Sequence, residues 1–209
     1  RKWLQIGLNV SGTHSVQDYP KQDDSTISNV VMFARSLPSF YPVYQRDLTT
    51  GAYLLDENGN RMFDYGEYRP NSYAKYNLLA SMPHDKSEIK RDAASLRGFI
   101  QITPIEGLSY KMSLNIDYNN KTNHDYTNPT YGTGSISGGS VSKYNYRTTG
   151  MTFNNVINYQ HTFNDVHDIR MMAGQEYYEY NTSNFGGSRS KVIMDGFYEP
   201  DAASSLGDF

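Results

Sequence analysis

Apolar and polar residues alternate most strictly over residues 97–118. Before a turn, Leu96, Ile100 and Ile102 alternate with Arg97, Gln101 and Thr103. After it, Leu108, Tyr110, Met112, Leu114, Ile116 and Tyr118 alternate with Ser109, Lys111, Ser113, Asn115, Asp117 and Asn119. Period two predicts strands with one apolar and one polar face. Between them, Pro104, Ile105, Glu106 and Gly107 carry turn chemistry, because Pro presets φ and Gly permits positive φ. The stretch predicts a tight hairpin of two-faced strands, about as long as the roughly 9–11 residues that cross a bilayer as a strand. A soluble sandwich gives the same pattern.

Taken along the whole chain, the alternation predicts strands over about 3–13, 93–103, 108–119, 144–163 and 167–180. In the first, Leu4, Ile6, Leu8 and Val10 oppose Gln5, Gly7, Asn9 and Ser11. In the fourth, Met151, Phe153, Ile157 and Tyr159 share a face, and Asn155 and Val156 blur the pattern. In the fifth, Ile169, Met171, Ala173 and Tyr177 oppose Arg170, Gly174, Glu176 and Tyr178. Residues 14–92, 120–143 and 181–209 read as long loops. The first carries a short helix, with a cap at Asp24-Ser25 and Ile27, Val30, Val31, Ala34 and Leu37 at helical spacing before Pro38. It also carries a small hairpin around Glu57-Asn58-Gly59-Asn60, since Asn-Gly between apolar runs suits a type I′ turn. Residues 68–82 show no clear period and read as irregular, and the Gly/Ser-dense residues 132–139 read as flexible.

Long and short connections therefore alternate along the chain. Outer-membrane barrels show this asymmetry, with short turns at one end and long loops at the other. A sandwich has no reason to gather every long loop at one end. The fold class expected is all-β: an antiparallel transmembrane β-barrel segment of about five strands, with long loops. Both ends look cut, so the chain is expected to be an internal piece of something longer.

Composition narrows the function classes. The chain has 209 residues and a net charge of −3, so no basic field points to nucleic acid. Cysteine is absent, which rules out disulfides and thiolate metal sites. Tyrosine, at 19 residues against 9 Phe and 1 Trp, fits aromatic girdles or wet binding surfaces. No run approaches the ~18 apolar residues of a membrane helix, which leaves a barrel open. His14, His84, His124, His161 and His167 are scattered, with no zinc spacing. The Asp56–Asn60 sequence has calcium-like composition, but Arg61 stands where such a loop needs Gly. No G-x-S-x-G and no Ser/His/acid pattern is present, so no enzyme activity and no cofactor are expected.

Several segments resemble the SusC/RagA-like family of TonB-dependent outer-membrane transporters. Trp3-Leu4-Gln5-Ile6-Gly7-Leu8-Asn9-Val10 is similar to a strand of that family. Ala34-Arg35-Ser36-Leu37-Pro38 followed by Tyr41-Pro42-Val43-Tyr44 resembles a loop motif, as does Leu55-Asp56-Glu57-Asn58-Gly59-Asn60 running into Tyr65-Gly66. The most specific match is Thr162-Phe163, then His167-Asp168-Ile169, then Ala173-Gly174-Gln175-Glu176-Tyr177-Tyr178. The resemblance implies a barrel of about 22 strands around a plugged lumen, of which this chain supplies a middle piece. The plug domain and the TonB-contacting N-terminal region are expected to lie outside it.

By the same resemblance, the expected function is part of an importer in the outer membrane of a Gram-negative bacterium. It takes up oligosaccharides or oligopeptides under a SusD-like surface lipoprotein lid, with energy from TonB and with outer-membrane lipid around it. The alternative is a secreted β-sandwich adhesin or glycan-binding module. In the importer reading, Arg97, Lys111, Asp117, Arg147, Arg170 and Glu176 face a wet lumen, either as a wall network or as direct ligand contacts. Tyr126 and Tyr131 flank a long loop, either as lid or ligand contacts or as ordinary loop residues.

Overall fold

A computed structural model of the chain describes residues 3–20, 29–66, 76–164 and 166–206. Its main elements are β1 (Leu4–Asp18), α1 (Val30–Ser36), α2 (Leu78–Ser81), β2 (Lys86–Ile105), β3 (Leu108–Thr127), α3 (Gly134–Ser137), β4 (Ser140–Phe163), β5 (His167–Val192) and β6 (Ala203–Leu206). The strands form one six-stranded sheet in sequence order, β1 to β6.

This corrects the expected fold class. The five-strand transmembrane barrel segment is replaced by an open six-stranded antiparallel sheet, in which β1 and β6 lie at opposite ends of the order and do not pair. The extra strand, β6, is a four-residue run that pairs antiparallel with the end of β5, Ser190 opposite Ser205 and Val192 opposite Ala203. Its Ala-Ser-Ser-Leu sequence has no alternation to betray it. The strands also outrun the alternation. β2 begins at Lys86, β3 runs to Thr127 and β5 reaches Val192. Those extensions are mostly polar, with Ile89, Tyr126, Phe185 and Val192 too few to mark an alternating face, and backbone pairing continues there.

The chain divides into two compact units. Unit 1 comprises Arg1–Ser15, Lys90–Thr122 and Asn145–Asn184. It holds the strict alternation and both short turns. Leu108, Tyr110, Met112 and Leu114 are half-buried and Ile116 is exposed. On β1, Ile6, Leu8 and Val10 are 67%, 70% and 68% exposed. Among the described residues no second sheet covers this face, as a sandwich would require. The blur at Asn155 has a local cause: Tyr110 donates its hydroxyl to Asn155 Oδ1 at 2.6 Å, so the amide is served on the apolar face. On the polar face Gly7 leaves room for the Phe99 ring, where a Cβ would collide with it.

Unit 2 comprises Val16–Ile89, Asn123–Tyr144 and Phe185–Phe209. It holds the one buried hydrophobic cluster among the described residues: Tyr126, Val141, Val192 and Ala203. Helix α1 is capped by Asn29, whose Oδ1 accepts from Val31 N at 3.0 Å and Met32 N at 3.2 Å. The cap expected at Asp24-Ser25 lies outside the described residues. Of residues 68–82, read as irregular, 68–75 lie outside the described residues and Leu78–Ser81 form α2, with Asn77 as the cap and a 3-10 turn following at Met82–His84. Residues 134–139, read as flexible, form α3, closed by Gly138 and Gly139, both at φ 76°.

The small hairpin is present, but its turn is not the expected type I′: Asn58 does not take the positive φ that type I′ needs at both central residues, and Gly59 N donates to Asp56 O at 3.0 Å. Asp56 N donates to Asn60 O at 2.8 Å, and Gly59 takes φ 82°. The Asp56 carboxylate accepts from Asn58 N at 2.9 Å and Asn60 N at 2.7 Å. Those N–H groups hold its carboxyl below the usual range, chiefly through Asn60. A carboxylate so engaged closes its own turn.

Gly107 gives a direct test of the hairpin in unit 1. It sits at φ 82°, and a Cβ there would meet the Gln160 carbonyl. Gly107→Ala in the full-length protein should cost about 1–3 kcal/mol, read from the denaturation midpoint. Gly12→Ala, whose Cβ points into open space, should stay within about 0.5 kcal/mol.

Candidate functional site

A dense polar network lies in unit 2, where β3 ends. Asn128 precedes Pro129 and is fully buried. Its backbone N and its Nδ2 both donate to Asp85 Oδ1, at 2.9 and 2.7 Å. Its own Oδ1 accepts from Thr130 N at 3.0 Å and Tyr131 N at 2.6 Å. This is an Asx turn anchored to the start of β2, and it turns the chain while satisfying the buried amide.

Tyr131 leaves that turn half-buried. Its ring stacks on Tyr65 at 4.4 Å and meets His84 at 4.6 Å. His84 Nδ1 lies 3.4 Å from Asp195 Oδ2. Asp195 Oδ1 accepts from the Tyr126 hydroxyl at 2.9 Å and from Gly196 N at 2.9 Å. The Tyr126 ring is 2% exposed and stands edge-on to Tyr198 at 4.8 Å. His124 Nε2 donates to the Tyr198 carbonyl at 2.6 Å; the carbonyl only accepts, which fixes the tautomer. Tyr126 and Tyr131 thus belong to one aromatic-polar cluster, with Tyr126 in its core and Tyr131 toward its edge. The one acid that His84 and Tyr126 both reach, Asp195, lies on the 193–199 turn, which reads in the sequence as undifferentiated loop.

Beside this cluster is a cavity of about 370 Å³ lined by Asp18, Tyr19, Asp85, Lys86, Gly132 and Thr133 among others. Lys86 pairs with Glu88 at 3.4 Å. Among the described residues no three His, Cys, Asp or Glu side chains gather as a metal site.

The six charged residues singled out in unit 1 are all exposed. Arg97 and Lys111 share one groove with Phe99, over which Lys111 Nζ lies 4.7 Å from the ring centroid. Asp117 lines a second groove with Arg91, Tyr178 and Tyr180. Arg170 pairs with Asp168 at 2.9 Å and borders a third. Glu176 stands exposed on β5. Arg147 has the parity of Met151, not of Thr152, so alternation puts it on the apolar face of β4 and not on the polar face where it was expected.

Burial and the Asp195 carboxylate push the Tyr126 phenol up to about 12 from 10.0. The group stays neutral in the folded state after it would ionise in the unfolded one. Its contribution is full below pH 10.0 and is lost as pH rises toward about 12. Tyr126→Phe should cost about 1–2 kcal/mol at neutral pH and should remove that part of the alkaline decline, both read from denaturant midpoints across pH.

Comparisons with known proteins agree on the fold. No family model matches the sequence. TonB-dependent receptor P39 of Formosa agariphila is 28% identical over 189 residues, covering 88% of this chain and 16% of the receptor. The structure of the RagAB peptide transporter superposes with a TM-score of 0.70 at 23% identity, covering 99% of this chain and 22% of that one. The RagAB peptide importer gives 0.65 in its closed-closed state and 0.63 in its open-open state. This chain therefore spans under a quarter of the length of each of these relatives, and over almost all of its own length it has the fold of a part of the RagAB chain.

Proposed function

We propose that this chain is part of a TonB-dependent importer of the SusC/RagA type, associated with the outer membrane of a Gram-negative bacterium. The observation that carries the reading is the RagAB likeness along 99% of the chain, seconded by a TonB-dependent receptor among its sequence relatives. Transport in this sense breaks no bond in the cargo, in keeping with relatives named as transporters and receptors. The cargo class is oligopeptide or oligosaccharide, and the named activity of RagAB makes peptides the first to try. A SusD-like lipoprotein is the proposed lid. TonB contact and any plug belong to the remainder of a longer protein.

The uncovered apolar face of unit 1 supports this reading. Each large apolar side chain left in water forgoes roughly 1.5–3 kcal/mol, so a row such as Ile6, Leu8 and Val10 calls for an apolar neighbour. Outer-membrane lipid is the neighbour we propose. Arg97, Lys111, Asp117, Arg170 and Glu176 would then serve the wet side. Arg147 stands apart by parity and enters the proposal only as an exposed charge. In the loops, Tyr131 meets lid or ligand directly, and Tyr126 acts through the turn at Asp195 and Gly196 that it holds.

Fractionation of the source cells tests this. The full-length protein should appear in the outer-membrane fraction, and deleting its gene or that of TonB should abolish uptake of labelled oligopeptides or oligosaccharides. A soluble secreted species, with uptake of both cargo classes unchanged, overturns the reading.

A further inference from the structure

Residues 44–63 of unit 2 form a small patch held by three antiparallel bridges: Tyr44 with Phe63, Arg46 with Tyr53, and Leu55 with Arg61. Directly opposed residues in antiparallel pairs share a face. Alternation along the chain puts all six on the same one. Tyr44 and Phe63 stack at 5.0 Å, and Tyr53 stands edge-on to Tyr44 at 6.1 Å. Two cations converge on this aromatic group. The guanidinium carbons of Arg46 and Arg61 each lie 4.1 Å from the centroid of the Tyr53 ring, and that of Arg61 lies 5.7 Å from Tyr44. Arg46 is further fixed by donating to Gly51 O at 3.1 Å and to the Tyr53 hydroxyl at 2.6 Å.

Neither guanidinium meets a carboxylate of the described residues. Three acids close by in sequence, Asp47, Asp56 and Asp64, are engaged in their own turns, Asp64 Oδ1 accepting from Gly66 N at 2.8 Å. Asp47 Oδ1 accepts from Thr49 N and Thr50 N at 2.9 and 2.7 Å, and Asp56 Oδ1 from Asn58 N and Asn60 N. Arg61 makes no hydrogen bond to any described residue. Cation–π contact at an exposed ring contributes about 0.5–1 kcal/mol and offsets part of the repulsion between two like charges. For Arg61 it also lays the guanidinium against a ring and leaves its N–H edge free, whereas Arg46 already donates once from each terminal nitrogen. That edge is the planar fork that takes a carboxylate through two parallel hydrogen bonds.

We propose that Arg46, Tyr53 and Arg61 form a carboxylate-binding site for an acidic peptide. Two features favour a peptide over a sugar. The Tyr53 ring carries guanidinium groups where a sugar would need an open ring face. Leu55, 57% exposed and opposite Arg61, sets an apolar contact beside the charge, as a peptide of mixed acidic and apolar side chains requires. The identity of the ligand as cargo rests on the importer reading; binding at the site does not.

The test uses purified full-length protein and a fluorescein-labelled hexapeptide of alternating glutamate and leucine. Its control has glutamine for glutamate and an amidated end. Wild type should bind the glutamate peptide about tenfold tighter or more. Arg61→Gln should abolish that preference, and Arg61→Lys should restore only part of it, because an ammonium lacks the fork. Leu48→Ser, at a fully exposed position of the same patch, should leave affinity unchanged. If Arg61→Gln loses the wild-type thermal transition, Arg46→Gln carries the same expectation. Equal binding of the two peptides, or an unaltered preference in the folded variant, overturns the site. Tighter, Arg61-dependent binding of an acidic oligosaccharide overturns the peptide assignment. Peptide binding lost in Arg61→Gln, with no uptake by wild-type cells, overturns the importer reading and leaves the site standing.

Discussion

Cross-strand backbone pairing is the interaction on which the sheet depends, because so little apolar surface is packed behind it. The buried hydrophobic side chains among the described residues are few, and those that cluster lie in unit 2. In unit 1 the apolar face of β1 stands in the open while the ladder runs on. A ladder pairs backbone groups whatever the side chains are, so β2, β3 and β5 extend well past the stretch of regular alternation. Backbone pairing sets the length of the strands, and side-chain alternation sets only which face is apolar.

Where the ladder stops, polar side chains take over its work. Asn128 offers one buried amide that serves two backbone N–H groups of its own turn and binds Asp85 across the chain. Asp195 does the same for the 193–199 turn by accepting from Tyr126 and Gly196. These groups are costly to leave unpaired in a buried place, so each fixes its loop in one geometry. Long connections that look like Gly/Ser filler are shaped in this way, with Gly138 and Gly139 supplying the positive φ that α3 needs to end.

How legible this was in the sequence follows from the same division. The centres of β1 to β5 were readable because alternation marks a two-faced strand, and the place of the Asn58-Gly59 hairpin because Gly59 accepts positive φ, though the turn type was not. Strand ends were not readable, since polar residues such as those of 120–127 pair as well as loop residues look. Nor was β6, whose Ser204 and Ser205 carry no pattern. The barrel expectation failed on a related point: alternation and loop asymmetry describe the two faces and the connections of a sheet, and neither says whether its end strands meet. Tyr126 and Tyr131 were picked out by type and place, yet nothing in the sequence distinguished the buried one from the edge one. That distinction comes from Asp195 and Tyr65, partners far away along the chain.

Residues that act on a ligand are hardest to see when their meaning lies in what they lack. Arg46 and Arg61 look like ordinary surface charges, and Asp47 and Asp56 close by look like their natural partners. The hairpin chemistry decides otherwise. An aspartate at a turn gains more from two backbone N–H groups held at bonding distance than from a long, mobile side chain whose ordering costs entropy. Once Asp47 and Asp56 are committed to their turns, Arg46 is held by Gly51 O and Tyr53, while Arg61 has only aromatic rings to rest on, and a ring satisfies its face but not its edge. The unspent hydrogen-bonding capacity of the patch is therefore a consequence of how its turns close, and the same local rule that builds the hairpin leaves it able to receive a carboxylate from outside.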